Sequence, residues 1–220
     1  MLPVECMLNR RALLKSGVGF VAGLSALSTL SAISAPPAAA AENSWIIGPQ
    51  PGYTPEVGTL TSMLAFTRDQ VVHNVQGLSQ ADLDFLLDAK ANTIGALLLH
   101  LSATETYYGL TTFGGMKWDA IPADIKKKWD VPMNLGEPAR VAIKGHPLDF
   151  YLDALHQSRE HTLAEFKKVD DKWLAAVETD GDFKANNYAK WFHVAEHESN
   201  HDGQIKFLKS RVPGAKPASE

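Results

Sequence analysis

Four long stretches of the chain carry apolar residues three and four positions apart, the spacing that lines up side chains on one face of an α-helix. Thr54-Pro55 opens the first, with Thr as cap and Pro in the first turn; Leu60, Met63, Leu64 and Val71 mark its buried face, and Gly77 ends it. The second runs from about Asn92 to Thr111 on Ile94, Leu97, Leu98, Leu101 and Tyr108. The third starts at Pro147 and reaches about Lys168 through Leu148, Tyr151, Leu152, Leu155, Leu163 and Phe166. The fourth spans about Tyr188 to Arg211 and stops before Pro213-Gly214, with Val194, Ile205 and Leu208 on its stripe. Shorter helices are predicted at Asp82–Leu87, behind a Ser79-Gln80-Ala81-Asp82 cap, and at Asp170–Glu178, which carries Trp173. Thr179-Asp180-Gly181-Asp182 reads as a turn. No strand and no internal repeat is predicted.

Between the second and third helices the pattern breaks. Phe113 to Pro147 contains Gly114-Gly115, Pro122, Pro132, Gly136, Pro138 and Gly145, with one short helix predicted near Ala123–Trp129. Connections of that length are uncommon inside a compact domain and are often functional. Two parallel helices would need such a crossover. The pattern therefore predicts an all-α four-helix bundle with a long crossover connection between the second and third long helices, an architecture whose interior accommodates side-chain metal sites. Trp118 and Trp129, within the connection, are open between packing and ligand contact.

The N-terminal residues change the picture. Asn9-Arg10-Arg11 gives a twin arginine, Gly17 to Ile33 is apolar and small, and Ser34 to Ala41 offers A-x-A cleavage sites. This is the anatomy of an export signal of the twin-arginine type, and the expected location is periplasmic or otherwise extracytoplasmic. The expected organisation is a signal at 1–41, a Gly- and Pro-rich lead-in at 42–53, the bundle at 54–212 and a frayed tail at 213–220. Cleavage would remove Arg10, Arg11, Lys15 and Glu5, taking 21 basic and 25 acidic residues to 18 and 24 and the net charge from −4 to −6. No basic stripe remains, so nucleic acid is not an expected partner, and no stable membrane insertion is expected after cleavage. The single cysteine, Cys6, leaves with the signal. Any metal in the mature chain is then held by nitrogen and oxygen.

Candidate chemistry concentrates in Trp191–Leu208, where His193, His197 and His201 follow at intervals of four. Residues i and i+4 share a helix face, so two such imidazoles can reach one ion. His100 lies inside the leucine-rich second helix, where a lone histidine is more often a satisfied core residue than a ligand. His73, His156 and His161 read as surface or core residues. His197-Glu198-Ser199-Asn200-His201 matches H-E-x-x-H, which in zinc peptidases means two ligands and a glutamate base. The peptidase reading lacks a third ligand downstream, apart from Glu220, and lacks the strands that hold an extended substrate.

Gly95–Tyr108, reading GALLLHLSATETYY, and His193–Ile205, reading HVAEHESNHDGQI, together resemble the DinB-like metal-binding superfamily. The resemblance covers about Thr54 to Arg211 and implies a four-helix bundle. It implies as ligands one histidine of the second helix and two, spaced H-x-x-x-H, of the last helix ahead of a G-Q-[IL] ending. These fall on His100, His197 and His201, followed by Gly203-Gln204-Ile205. Where the family often has a basic residue before Gly-Gln, this chain has Asp202. His193 is left as a rival ligand or a neighbour, and Glu105, Glu196 and Glu198 as candidate partners for the ligand rings.

Three imidazoles with an open position make a catalytic-type site, and zinc, nickel, iron, cobalt and manganese all suit such a set. The superfamily includes thiol-dependent S-transferases and a thiol-dependent maleylpyruvate isomerase. The resemblance thus implies a divalent-metal-dependent transferase acting on a small molecule, possessing a site that activates a thiol. Two alternatives stay open. One is a non-enzymatic metal-binding or sensing protein of the cell envelope. The other is a metal-assisted hydrolase with Glu198 as catalytic base. A small-molecule substrate is the partner expected, and a homodimer is left open.

Overall fold

The structure, a computed structural model, describes residues 45–180 and 183–216. The export-signal residues 1–41, Cys6 and Glu220 lie outside the described residues. Eight helices and one hairpin appear among those described: α1 (Pro55–Val75), α2 (Gln80–Leu83), α3 (Ile94–Thr112), α4 (Ala123–Asn134), α5 (Gly136–Ala142), α6 (Leu148–Phe166), α7 (Asp171–Ala175), β1 (Val177–Asp180), β2 (Phe183–Asn186) and α8 (Asn187–Lys209). A short 3-10 turn at Trp118–Ala120 precedes α4. No helix among the described residues is long and apolar enough to cross a membrane.

The four long helices α1, α3, α6 and α8 form the bundle. Contacts along α3 and α6 rise together, from Gly95 beside Tyr151, through Glu105 and Arg159, to Phe113 against Phe166. These helices are therefore parallel, and the connection between them is the crossover expected. Close approach here requires glycine: a Cβ on Gly95 would sit 2.6 Å from the Tyr151 hydroxyl. Along α3 and α8 the order reverses, His100 facing His197 and His201 while Tyr108 faces Trp191 and His193, so this pair is antiparallel. At one end Phe113, Phe166, Trp173 and Trp191 pack ring on ring, and α7 is held there through Trp173. Burying each such ring contributes roughly 1.5–3 kcal/mol.

Three local expectations are corrected. The crossover is not a loop with one short helix but contains both α4 and α5. Pro132, a helix breaker by residue type, is accommodated near the last turn of α4, where its missing N–H leaves only one carbonyl without an intrahelical donor. Val177–Asp180 and Phe183–Asn186 pair as an antiparallel hairpin, Val177 opposite Asn186 and Asp180 opposite Phe183, where no strand was expected. Four-residue strands are too short to show a period of two over apolar positions. Thr54 occupies the α1 cap position, but its hydroxyl donates to Asp171 Oδ1 at 2.5 Å. That same oxygen accepts the N–H groups of Glu56 and Val57, so α7 supplies the cap of α1. Within the lead-in, Gly48 N–H donates to Ser62 Oγ at 3.1 Å and Trp45 meets Phe66 edge-on, so both dock on α1.

Candidate metal centre

The core stripes of the four long helices each place a charged side chain at the same level of the bundle. Arg68 continues Leu60 and Leu64 on α1, Glu105 follows Leu101 on α3, Arg159 follows Leu155 on α6, and Glu198 follows Val194 on α8. All four are buried, Glu105 and Glu198 to 1% exposure. Arg159 Nε donates to Glu105 at 2.7 Å and its Nη2 to Glu198 at 3.0 Å. Arg68 Nη2 donates to Glu105 at 2.7 Å, its Nε to Glu198 at 2.9 Å, and a further short bond joins its Nη2 to Glu198. Spare guanidinium N–H groups reach the Leu155 and Leu64 carbonyls, and Thr67 Oγ1 donates to the second Glu198 oxygen at 2.8 Å. Burial alone would raise Glu105, but the guanidinium of Arg159, then that of Arg68, holds its carboxyl at about 2. Two cations and two anions thus close on themselves.

Beside this cluster the second group lies between α3 and α8. His100, His197 and His201 bring their ligand nitrogens within 4.8 Å of one another. His197 Nε2 is 3.1 Å from His100 Nε2 and 3.1 Å from His201 Nε2. Each outer ring is fixed from behind. His100 Nδ1 donates to the Pro132 carbonyl at 3.0 Å. His201 Nδ1 donates to Gln204 Oε1 at 3.1 Å, and Gln204 Nε2 in turn donates to Asn200 Oδ1, which sets the amide's orientation. A neutral imidazole that donates through Nδ1 has a bare Nε2. Burial, then the neighbouring His201, pulls His100 down to about 4. Burial, then His201, His100 and His193, pulls His197 to about 3, and burial lowers His201 as well. All three rings are neutral at neutral pH.

The donor set fits a cation. His197 Nε2 can carry at most one proton for two bare nitrogens, so at least one of the two 3.1 Å contacts has no hydrogen to make a bond. A divalent ion among the three relieves this. Metal–nitrogen bonds of about 2.0–2.1 Å put ligand nitrogens about 3.3 Å apart in tetrahedral geometry and about 2.9 Å apart at right angles, and the two 3.1 Å spacings about His197 fall between.

Other candidates are distributed differently. His193 is half-exposed and bonds Glu196 at 3.2 Å, outside the three-nitrogen group. His73, His156 and His161 are exposed. Neither Glu105, Glu196 nor Glu198 backs a ligand ring; a backbone carbonyl and Gln204, from the Gly-Gln-Ile segment, do so. Glu198, the base of the hydrolase alternative, has both oxygens engaged by Arg68, Arg159 and Thr67. Asp202 is buried and accepts from Asn74 Nδ2 at 2.7 Å, tying α8 to α1. From His197 a row of rings leads outward through His193 and Tyr108 to Trp118, at centroid spacings of 5.6, 6.0 and 6.4 Å. Tyr108 and Trp118, with Met116, Glu178 and Lys190, line a cavity of about 400 Å³.

A four-helix bundle with a buried three-histidine cluster between its second and last long helices defines a DinB-like metal-binding protein. The mycothiol-S-transferase family, described as "MST: Mycothiol-S-transferase", matches residues 59–214, and the chain belongs to this family. No curated protein sequence matches it. A solved structure described as "the conserved protein of locus from Enterococcus faecalis" superposes with a TM-score of 0.54 at 10% identity, covering 69% of this chain and 93% of that one. At that identity the likeness shows the fold alone.

Proposed function

We propose that the protein is an exported, divalent-metal-dependent enzyme that transfers a small-molecule group to or from a thiol. The observation that carries this reading is the convergence of three neutral imidazoles, two held with their free nitrogen toward a common point. Three ligand side chains is the count of catalytic sites, which keep a position for water or substrate; closed structural sites use four. A divalent ion there supplies the Lewis acidity that lowers the pKa of a thiol or water at its open position. His100, His197 and His201 hold it, while Pro132 and Gln204 orient the rings. Tyr108 and Trp118 form an apolar wall for the body of a substrate, and Lys190, bonded to Glu178 at 2.5 Å, places a charged pair at its edge. We assign Glu198 to the ion cluster rather than to proton abstraction, because every donor around it would have to leave first. The family's name supports the transferase reading, and the Arg10-Arg11 segment supports export.

Cobalt-loaded protein titrated with 2-mercaptoethanol tests the thiol reading. A sulfur-to-cobalt charge-transfer band is expected in the parent and absent in His197→Ala. A parent with no such band at saturating thiol would contradict it. Cell fractionation tests export: the product is expected outside the cytoplasm and, after Arg10→Lys/Arg11→Lys, retained within it.

A further inference from the structure

The carbonyl that holds His100 is made available by an unusual turn. In a regular helix the N–H of residue 136 would bond the carbonyl of residue 132. Here α4 ends at Asn134, and Leu135 takes φ 55 and ψ −149, a region essentially reserved for glycine. Leu135 is the one non-glycine with positive φ among the described residues. The turn swings the Gly136 N–H away from Pro132, and it donates instead to Asn92 Oδ1 at 3.2 Å. The Pro132 carbonyl belongs to the last turn, whose carbonyls lack intrahelical donors. It is left to accept from His100 Nδ1.

Asn92 is placed to couple the two helices involved. It precedes Thr93, whose Oγ1 caps α3 by accepting from Ala96 N–H at 3.1 Å. The start of the helix that carries His100 is thereby fastened to the end of the helix that carries Pro132. Farther along, Tyr107 bonds Asp130, and Thr104 Oγ1 reaches Met133 Sδ at 3.8 Å, so α4 is tied to α3 on both sides of His100.

We propose that Asn92, Leu135 and Gly136 are positioning residues of the metal centre: they present the Pro132 carbonyl to His100, select its Nδ1–H tautomer and so strengthen divalent-cation binding. The inference rests on the reading of the three histidines as ligands.

Zinc affinity of the full chain, measured by chelator competition, tests it with Asn92→Ala and Asn92→Asp. Outer-shell partners of ligand histidines typically change affinity about 10- to 100-fold. Asn92→Ala is expected to weaken zinc about tenfold and to shift the visible spectrum of the cobalt form. Asn92→Asp, whose carboxylate still accepts the Gly136 N–H, is expected to stay near the parent. A parent that takes up no zinc overturns the ligand reading and this inference with it. A parent that binds zinc, with Asn92→Ala unchanged or both variants weakened alike, overturns the inference and leaves the ligands standing. Should Asn92→Ala fail to fold, nitrogen NMR of the histidine rings in the metal-free parent decides. His100 as the Nδ1–H tautomer supports the inference, and His100 as Nε2–H overturns it.

Discussion

The ion cluster and the histidine cluster are neighbours in one bundle, Glu198 following His197 directly in α8, and they are completed in opposite ways. Arg68, Glu105, Arg159 and Glu198 come from four helices and satisfy one another. Such a buried network gains little net stability over apolar packing, because desolvation offsets its Coulomb attraction, but losing one member strands a charge. It is a strong constraint on which helices meet and at what level. The three histidines come from only two helices, and their free nitrogens face each other. One cluster is finished by the chain; the other leaves bare nitrogens that could hold a metal ion. Adjacent polar groups in a core thus serve different ends, and the distinction lies in whether donors and acceptors balance.

Breaking the closed cluster should give the largest effect. Arg159→Met leaves Glu105 and Glu198 short of a partner, and a loss of about 3–5 kcal/mol is expected in urea unfolding. Acid probes the same cluster without mutation. Glu105 titrates near 4.5 when unfolded and at about 2 when folded. Its stabilisation is therefore fully present above pH 4.5 and is lost as pH falls toward about 2. Acid unfolding followed by circular dichroism in the parent and in Glu105→Gln checks this; the variant's curve should be flatter in that window.

The open cluster should respond in binding more than in stability. Gln204→Leu removes the acceptor behind His201, and zinc affinity is expected to fall about tenfold while the melting temperature of the metal-free protein barely moves. His193→Ala should do least. The ring is half-exposed and outside the ligand group, so zinc affinity is expected to stay at the parent level and stability to change by less than about 0.5 kcal/mol. A His193→Ala variant that lost its metal would blur the boundary between ligand and neighbour.

Periodicity made the four long helices legible, because apolar side chains three and four apart form one continuous stripe only when the backbone is helical. The candidate ligands were legible from two sources: H-x-x-x-H spacing for His197 and His201, and family resemblance for His100. The ion cluster also left a signal. Leu60-Leu64-Arg68-Val71 and Tyr151-Leu155-Arg159-Phe166 each place an arginine where a core residue belongs, and Glu105 follows Leu101 by four. Two cations and two anions at core positions of four helices are a pairing waiting to be read. The Pro132 carbonyl left none, since a backbone acceptor has no residue signature. The β1–β2 hairpin was hidden because four-residue strands are too short to show a period of two, and its place beside α8 is a tertiary contact.

The central claim is that His100, His197 and His201 hold a divalent ion, and metal content tests it most directly. Protein purified without an affinity tag, beside a His197→Ala/His201→Ala variant, would be assayed by inductively coupled plasma mass spectrometry. The account predicts about one equivalent of a divalent metal in the parent and almost none in the variant, as a three-imidazole site requires. A parent that carries no metal and takes none up on titration, or a variant that retains it, would contradict the account.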